Sequence, residues 1–492
     1  MTRRRKICAT GFVALAMIAL AGCNGAGSLT GGGEPALVIA NVTVIDGLNG
    51  VRDAQTVVVR GDTIAKVGDA ASVRVPDGAR TIDGTGKYLI PGLWDAHVHL
   101  TWPDIPIETS YPLFIANGIT SVQDTGGLID LIAPMRDTAY EDGAVAPRVF
   151  IAGPLVDGPK RVYAGQSPMT PELGISVATA AEAQAEIDAL NAAGVDLIKL
   201  YEMLEPDVFV AAVDHAHDLG LPVTAHVPLS MDAVLVAEAG LDGMQHMRNL
   251  EMSCAANASE LLEARRAALA ASTDDLGARL RSTIHAEQRI PAVRAQDDAR
   301  CAQVIATLAE NDVYQTPTLT IVTFDQSRVF ETPAMQQSFD YLDPQLAEAW
   351  RAGTAAAAAA ERSPDLAAFA DWGLDMVGKL HAADIKIVAG TDAPIRFLTP
   401  GFSLHQELIL LVEAGLTPLE ALTAATVNPA SFLDLDDRLG TIERGKWADL
   451  VLLDADPLAD IANTQRIDTV IKAGTVYDRP ALDALLDRLA SR

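Results

Sequence analysis

The chain has 492 residues, of which 49% are hydrophobic and 21% charged, and its 37 Lys and Arg against 65 Asp and Glu give a net charge of −28. That length exceeds one ordinary domain and suits a large α/β barrel with a satellite domain, for which the apolar share supplies an ample core. So acidic a surface repels phosphate backbones, which argues against a nucleic-acid partner and leaves a solvated acidic face as the simplest reading.

Arg3-Arg4-Arg5-Lys6 make a basic start and residues 7–20 a largely apolar run, too short to span a bilayer comfortably, so these residues read as a targeting segment. The segment ends in Leu20-Ala21-Gly22-Cys23, which resembles the lipobox of bacterial lipoproteins. That resemblance implies removal of residues 1–22, lipid on the sulfur and amine of Cys23, and tethering to an extracytoplasmic membrane face. With Asn24 next, the outer membrane is open as a destination; an ordinary cleaved secretion signal is the alternative. Residues 23–35, rich in Gly and Ser, read as a flexible tether. Cleavage would remove four positive residues and take the balance from −28 to −32. Cys8 would be lost with them, and in an oxidising compartment a disulfide between Cys254 and Cys301 is expected, two separate buried thiols being the alternative.

β-Branched runs separated by Gly and Asp occupy residues 37–45, 56–59 and 64–67, and the same character returns in 440–442, 448–453 and 469–476. Both ends therefore predict strands, read as one discontinuous β-sandwich built from residues 36–88 and 436–492, the latter including a C-terminal helix. Between them, residues 89–435 alternate apolar strands with helical segments, the pattern of a parallel sheet. Eight strands are predicted, at 89–99, 120–124, 148–152, 195–201, 222–227, 243–247, 314–320 and 385–392, enough to close a (β/α)8 TIM-type barrel. Thr179 with Glu182, and Thr417 with Glu420, fit capping boxes, and Pro418 suits a first helical position. Residues 258–311 and 326–383 are longer than a crossover helix needs and read as helical insertions forming a lid, a dimer surface or plain packing.

His97 and His99 stand two apart on the first predicted barrel strand, so both imidazoles project to one side while Trp94, Ala96 and Val98 project to the other. Two adjacent imidazoles can share a metal ion, although alone the pair is a weak signal. In a barrel, catalytic side chains gather at the C-terminal strand ends. There the fourth strand offers Lys199, the fifth His226, the sixth His246 and the eighth Asp392. Each has an ordinary reading: an exposed strand end for Lys199, hydrogen-bonded core residues for the two histidines, a turn for Asp392.

Pro91-Gly92-Leu93-Trp94-Asp95-Ala96-His97-Val98-His99, then Lys199, His226, His246 and Gly390-Thr391-Asp392, together resemble the metal centre of the amidohydrolase superfamily. Residues 440–451 are similar to that family's return to its β-sandwich. A strand-four Lys implies the two-metal, carboxylated-lysine subtype, closest to prolidase-like and other dipeptide-cleaving members. By that resemblance His97, His99 and Asp392 hold one divalent ion and His226 and His246 the other. A carbamate formed from carbon dioxide on Lys199 would lie between them with a hydroxide. Imidazole and oxygen donors suit zinc, with manganese or cobalt sharing the ligand types. Asp392 is assigned the proton transfer from water to the leaving amine.

Other residues are placed around this centre. Asp95 is expected to orient an imidazole from below and Tyr201 to line the mouth. In the loop after the third strand, Lys160, Arg161 and Tyr163 face substrate, with Arg161 as a carboxylate binder and Arg396 its rival. His215, His217, His285 and His381 read as helix-surface residues, and His405 as a neighbour of the site at most. The function expected is a lipid-anchored metal-dependent hydrolase of an amide bond in a small molecule, such as a dipeptide or N-acyl amino acid. Lactone or phosphotriester hydrolysis, or a tethered binding protein without catalysis, are the alternatives.

Overall fold

The computed structural model describes residues 35–102, 104–273 and 276–491; the targeting segment, Cys23 and nearly all of the tether lie outside them. Among the described residues no helix is long and apolar enough to cross a membrane.

The fold is mixed α/β, and its two ends are stitched together by one short strand. Tyr88–Pro91 runs parallel to Leu37–Asp46 through Thr43 and Val44, and antiparallel to Leu450–Leu453, where Ile90 faces Val451. An eight-stranded sheet results, adding Gly50–Arg60, Thr63–Asp69, Arg80–Asp83, Ile467–Lys472 and Thr475–Asp478. Alternate residues of these strands, among them Ile39, Val57, Leu89, Leu450 and Ile471, fill one apolar cluster. Three expectations change here. Arg80–Asp83 is an additional strand, residues 440–442 form none, and 469–476 is a hairpin rather than one strand. The hairpin turns at Ala473 and Gly474, both with positive φ, the geometry a two-residue hairpin loop demands.

Residues 89–99 were expected as one strand and are two. Tyr88–Pro91 belongs to the terminal sheet, while Leu93–Val98 begins a second, parallel set. Gly92 is the joint: a Cβ there would meet the Thr120 hydroxyl at 2.0 Å, so glycine is what lets the chain pass the Thr120 side chain. Leu93–Val98 pairs in parallel with Ile119–Asp124, and that strand with Arg148–Ile151. A further parallel series runs through Gly174–Ser176, Leu155–Asp157, Ile198–Leu200, Val223–Ala225, Gly243–Gln245 and Tyr314–Thr316.

The two sets are linked by backbone hydrogen bonds at both margins. Asp196 N–H donates to the Ile151 carbonyl (2.9 Å) on one side. On the other, the eighth expected strand is an extended segment without regular pairing, yet it bridges the seventh and first. Val388 N–H reaches the Gln315 carbonyl (2.8 Å) and Ala96 N–H the Ala389 carbonyl (3.0 Å). The seventh strand stops at Thr316 rather than 320. Pro317 offers no donor, Thr318 turns left-handed, and Leu319–Val322 is helical because the buried Glu407 carboxylate accepts both Leu319 and Thr320 N–H at 2.8 Å.

The long segments are helical as expected, in Ala258–Ala271, Gly277–Arg294 and Asp298–Glu310, then Pro333–Ser338, Pro344–Ala359 and Pro364–Ala382. A disulfide joins Cys254 to Cys301 across 47 residues of chain, closing the loop that carries the first two of these helices. The Thr417 capping box is reciprocal; at Thr179 the hydroxyl caps Glu182 N–H, but the Glu182 carboxylate turns to Ala178 N–H instead. The terminal sheet is pinned to the parallel strands by a buried ion pair, Arg148 Nε to Asp449 Oδ2 at 2.6 Å, with the guanidinium stacked 3.8 Å above the Trp447 ring.

Candidate metal centre

The parallel register sets the site. Lys199 pairs with Thr224 and Ala225 with Met244, so the chain ends of these strands stand side by side. His226 and His246 are each the first residue past their strands, and Asp392 follows the extended segment. All six residues singled out in the sequence, His97, His99, Lys199, His226, His246 and Asp392, line one cavity. His246 and Asp392 reach it from left-handed backbone at φ 55° and 66°, a conformation that costs a non-glycine residue on the order of 1 kcal/mol and persists because its surroundings impose it. Asp392 N–H is held by the His97 carbonyl at 2.7 Å, and Gly390 is needed because a Cβ would come within 2.7 Å of the His97 Cβ.

Every imidazole is held by its Nδ1. His97 faces Gln245 Oε1 (2.5 Å), His99 the Gly126 carbonyl (3.4 Å), His226 Glu202 Oε1 (2.6 Å) and His246 Thr318 Oγ1 (2.5 Å). The directions can be worked out. Thr318 gives its own proton to the Pro317 carbonyl (2.7 Å), so it accepts from His246. Thr224 gives its proton to the Gly243 carbonyl (3.1 Å) and accepts from Gln245 Nε2 (2.6 Å), which turns the Gln245 oxygen toward His97. Each Nδ1 therefore donates, and each Nε2 presents a lone pair to the cavity.

That arrangement fits a metal ion. Asp392 Oδ1 lies 3.2 Å from His97 Nε2 and 3.0 Å from His99 Nε2, two nitrogens that are themselves acceptors, and none of these bonds supplies it a proton. Three lone pairs converge, which is repulsive without a cation or proton among them. His97, His99 and Asp392 offer donor atoms all within 4.8 Å of one another, the spacing of a shared ion. Burial pulls His97 down to about 4 and holds His226 and His246 well below the usual imidazole range, so all three are neutral donors. At His99 burial acts the same way, but the adjacent Asp392 carboxylate outweighs it and the pKa is raised, so this is the ring that takes a proton when no cation lies between the two. The Lys199 amine is buried, has no hydrogen-bond partner, and is held by burial well below its ordinary range.

A family model described as "Amidohydrolase family" matches residues 88–477. The chain belongs to the amidohydrolase family. Among curated relatives, dihydroorotase from Anaeromyxobacter dehalogenans is 28% identical over 85% of this chain and 88% of its own. Imidazolonepropionase from Thermoplasma volcanium is 33% identical, over 24% of this chain and 28% of its own. In fold, the chain is similar to a Xaa-Pro dipeptidase with bound methionine (21% identity, TM-score 0.64, covering 90% of this chain and all of that one). It is likewise similar to a putative prolidase from Bifidobacterium longum (22%, TM-score 0.63, 92% and 99%). As a member of this family the chain is a hydrolytic enzyme.

Around the centre of this amidohydrolase several expectations change. Asp95 orients no imidazole. It accepts from Thr391 N–H (3.0 Å) and the Thr391 hydroxyl (2.7 Å), and so fixes the backbone that delivers Asp392. Arg161 is not a free carboxylate binder, because its guanidinium is spent on Glu172 and the Gly174 carbonyl, and Lys160 is tied to the Ser272 carbonyl. Tyr201 does line the cavity, stacked on His226 with ring centroids 4.3 Å apart, and Tyr163 lies against it at 5.8 Å. His405 is buried against Thr464 and the Asn117 carbonyl, and His215, His217 and His381 pair with surface carboxylates.

His285 is no surface residue: its side chain is 10% exposed and points at Glu202, 3.9 Å away. With Arg281 and Arg289 it forms a stripe four residues apart on Gly277–Arg294, a spacing visible in the sequence that places all three on one helix face. Glu202, Gln245, Thr318 and Arg248 were also missed. Glu202 and Arg248 follow Lys199 and His246 by three and two residues, the only local signal they give.

The Gln245 bond to His97 generates a prediction. Gln245→Leu frees the His97 ring to turn, and metal affinity measured by competition with a chelator is expected to fall about 10–100-fold with the fold retained. Unchanged affinity would show that Gln245 does not orient a ligand.

Proposed function

We propose that this amidohydrolase-family enzyme is a two-metal hydrolase that cleaves an amide bond in a small, carboxylate-bearing substrate such as a dipeptide or an N-acyl amino acid. The observation that carries the reading is the single cavity onto which four Nδ1-held imidazoles, an unpartnered buried amine and a buried carboxylate converge. In this reading His97, His99 and Asp392 hold one divalent ion and His226 and His246 the other, with zinc suited to the donors. Lys199 joins them as a carbamate: its amine adds to the carbon of carbon dioxide and loses one proton. Lys199 then supplies an anionic oxygen ligand where the six residues otherwise offer only the Asp392 carboxylate.

When bound, the ions supply a water that ionises near neutral pH and an electrophile for the scissile carbonyl. The protein's own work is orientation and proton handling. Asp392 takes the proton released by the attacking water and returns it to the leaving amine. Tyr201 and Tyr163 wall the cavity on its substrate side, Tyr201 with its ring against His226. Gln245, Glu202 and Thr318 keep three of the four lone pairs aimed inward while this happens.

The parallel strands and the extended segment at 385–392 are read as a (β/α)8 barrel in residues 89–435, flanked by a β-sandwich-type unit from 36–88 and 436–492. The backbone bonds at both margins of the parallel sets support closure. The lipobox-like tetrad Leu20-Ala21-Gly22-Cys23 supports reading the enzyme as lipid-anchored on the extracytoplasmic face of a bacterial membrane.

Two outcomes test this. Screened with added zinc against dipeptides, N-acyl amino acids, a lactone and a phosphotriester, the protein is expected to turn over the amides fastest, and Asp392→Asn protein that retains metal is expected to lose about 10²–10⁴-fold in kcat. Preference for the lactone or phosphotriester, or normal turnover by the variant, would contradict the reading. In cells, Cys23→Ala is expected to move the chain from the membrane fraction to the soluble one; wild-type chain already soluble would contradict the anchor.

A further inference from the structure

Next to the metal centre lies a second cavity of about 220 Å³, bordered by His246 and Asp392 at its inner end and by Arg248, Arg281 and Arg289 further out. Arg248 borders both cavities, while Arg281 and Arg289 border only the outer one. Arg281 and Arg289 come from the helix Gly277–Arg294, inside the loop closed by the Cys254–Cys301 disulfide.

These guanidiniums exceed the carboxylates that face them. Glu202 lies 3.7 Å from Arg248 and 3.6 Å from Arg281, while Glu251 lies 3.8 Å from Arg289 and 3.9 Å from Arg265, the buried arginine behind the wall. His285, the remaining titratable group on the stripe, is buried in the same cluster. Arg396 is matched by Asp325 at 3.8 Å and drops out of the balance. Among the described residues four arginines thus share two glutamates, an excess of two positive charges, and the remaining carboxylate on the cavity, Asp392, is committed to the metal in the hydrolase reading. The contacts are also longer than the 2.7–2.9 Å of a charge-assisted hydrogen bond: the Nε atoms of Arg248 and Arg289 lack an acceptor and Glu202 Oε2 and Glu251 Oε1 lack a donor, so the guanidiniums are not locked onto the glutamates. Such an excess of half-buried cation around one cavity is a site for an anion, even in a chain of net charge −28.

Resting on the hydrolase reading above, we propose that this cleft selects substrates with two carboxylates on the leaving-group side of the scissile amide. The class is dipeptides ending in Glu or Asp, and N-acyl derivatives of those amino acids. The amine that leaves in either carries the α-carboxylate close to the broken bond, where Arg248 stands at the join of the two cavities. The side-chain carboxylate lies further out, between Arg281 and Arg289. Phe369, 5.3 Å from the Arg289 guanidinium, closes the outer wall and lowers the local dielectric around the pair. Hydrolysis of Ala-Glu consumes one water, breaks the C–N bond and releases alanine and glutamate, so the product itself probes the cleft.

Glu and Gln side chains are nearly isosteric, which makes their comparison the test. With the zinc-loaded full chain, kcat/KM for Ala-Glu is expected to exceed that for Ala-Gln by about tenfold or more, the value of one charge-assisted contact. Arg281→Met and Arg289→Met are each expected to bring the ratio toward one, and Arg289→Lys to keep part of it, since the charge stays but the fork is lost. Calorimetric binding of L-glutamate and L-glutamine to the same proteins reads the cleft whether or not either dipeptide is cleaved. Glutamate favoured by tenfold, with the preference lost in whichever methionine variant folds, supports the proposal even if amide cleavage fails. Dipeptides cleaved with a Glu-to-Gln ratio near one, and equal binding of the two amino acids, would overturn it while leaving the hydrolase reading in place.

Discussion

Four hydrogen bonds to imidazole Nδ1 atoms are what the rest of this site depends on. A neutral imidazole has one donor and one acceptor nitrogen, and fixing the first decides where the second points. The partners come from four different places: a side chain from the neighbouring strand end for His226, a side chain from the sixth strand, three positions away, for His97, a loop carbonyl for His99 and a left-handed threonine for His246. None can be satisfied unless the parallel strands are in register. The scaffold and the donor set are thus one constraint, since a slip of a single residue would turn His97 away from the cavity and leave Gln245 facing nothing.

Buried carboxylates do for the loops what these bonds do for the rings. Asp124 accepts Leu100 and Gly126 N–H, Asp157 accepts Gly158, Val162 and Met203 N–H, and Glu407 accepts Leu319 and Thr320 N–H. Burial raises the pKa of Asp157 and of Glu407 to about 7, against the lowering effect of those same bonds. Asp124 and Asp157 end their strands and Glu407 reaches in from the helix Phe402–Glu413, so the irregular chain around the cavity is held by internal carboxyl groups rather than by regular secondary structure. Asp95 is the same device applied to the Gly390-Thr391-Asp392 turn.

The parts legible in the sequence were those written in short-range pattern. His97 and His99 share a strand face because the pleat has period two, and Lys199, His226, His246 and Asp392 stood out because each falls near the C-terminal end of a predicted strand. The paired terminal strands were legible for the same reason. What stayed hidden was set by partners distant in sequence. Gly92 breaks a strand because of Thr120, Leu319–Val322 becomes helical because of Glu407, and Arg161 is consumed by Glu172. Arg281, His285 and Arg289 were visible as a helical stripe, but a stripe of basic residues ordinarily faces water. Only the packing of that helix against Glu202 and Glu251 turns it inward.

Charge gives the molecule a polarity of function. The surface is strongly acidic, yet the approach to the metal centre is lined with guanidiniums, so a small anion is repelled almost everywhere except at the cleft. In the proposed reading the centre beside that cleft rests on Lys199 acting with the four imidazoles and Asp392 as one ligand set. The most direct test is the metal content of the purified protein beside its Lys199→Ala variant, both loaded with zinc under carbon dioxide and desalted. The account predicts about two ions per wild-type chain, as a bridged two-metal site requires, and a clear loss in a variant whose circular dichroism is unchanged. Equal occupancy in the two proteins would contradict it.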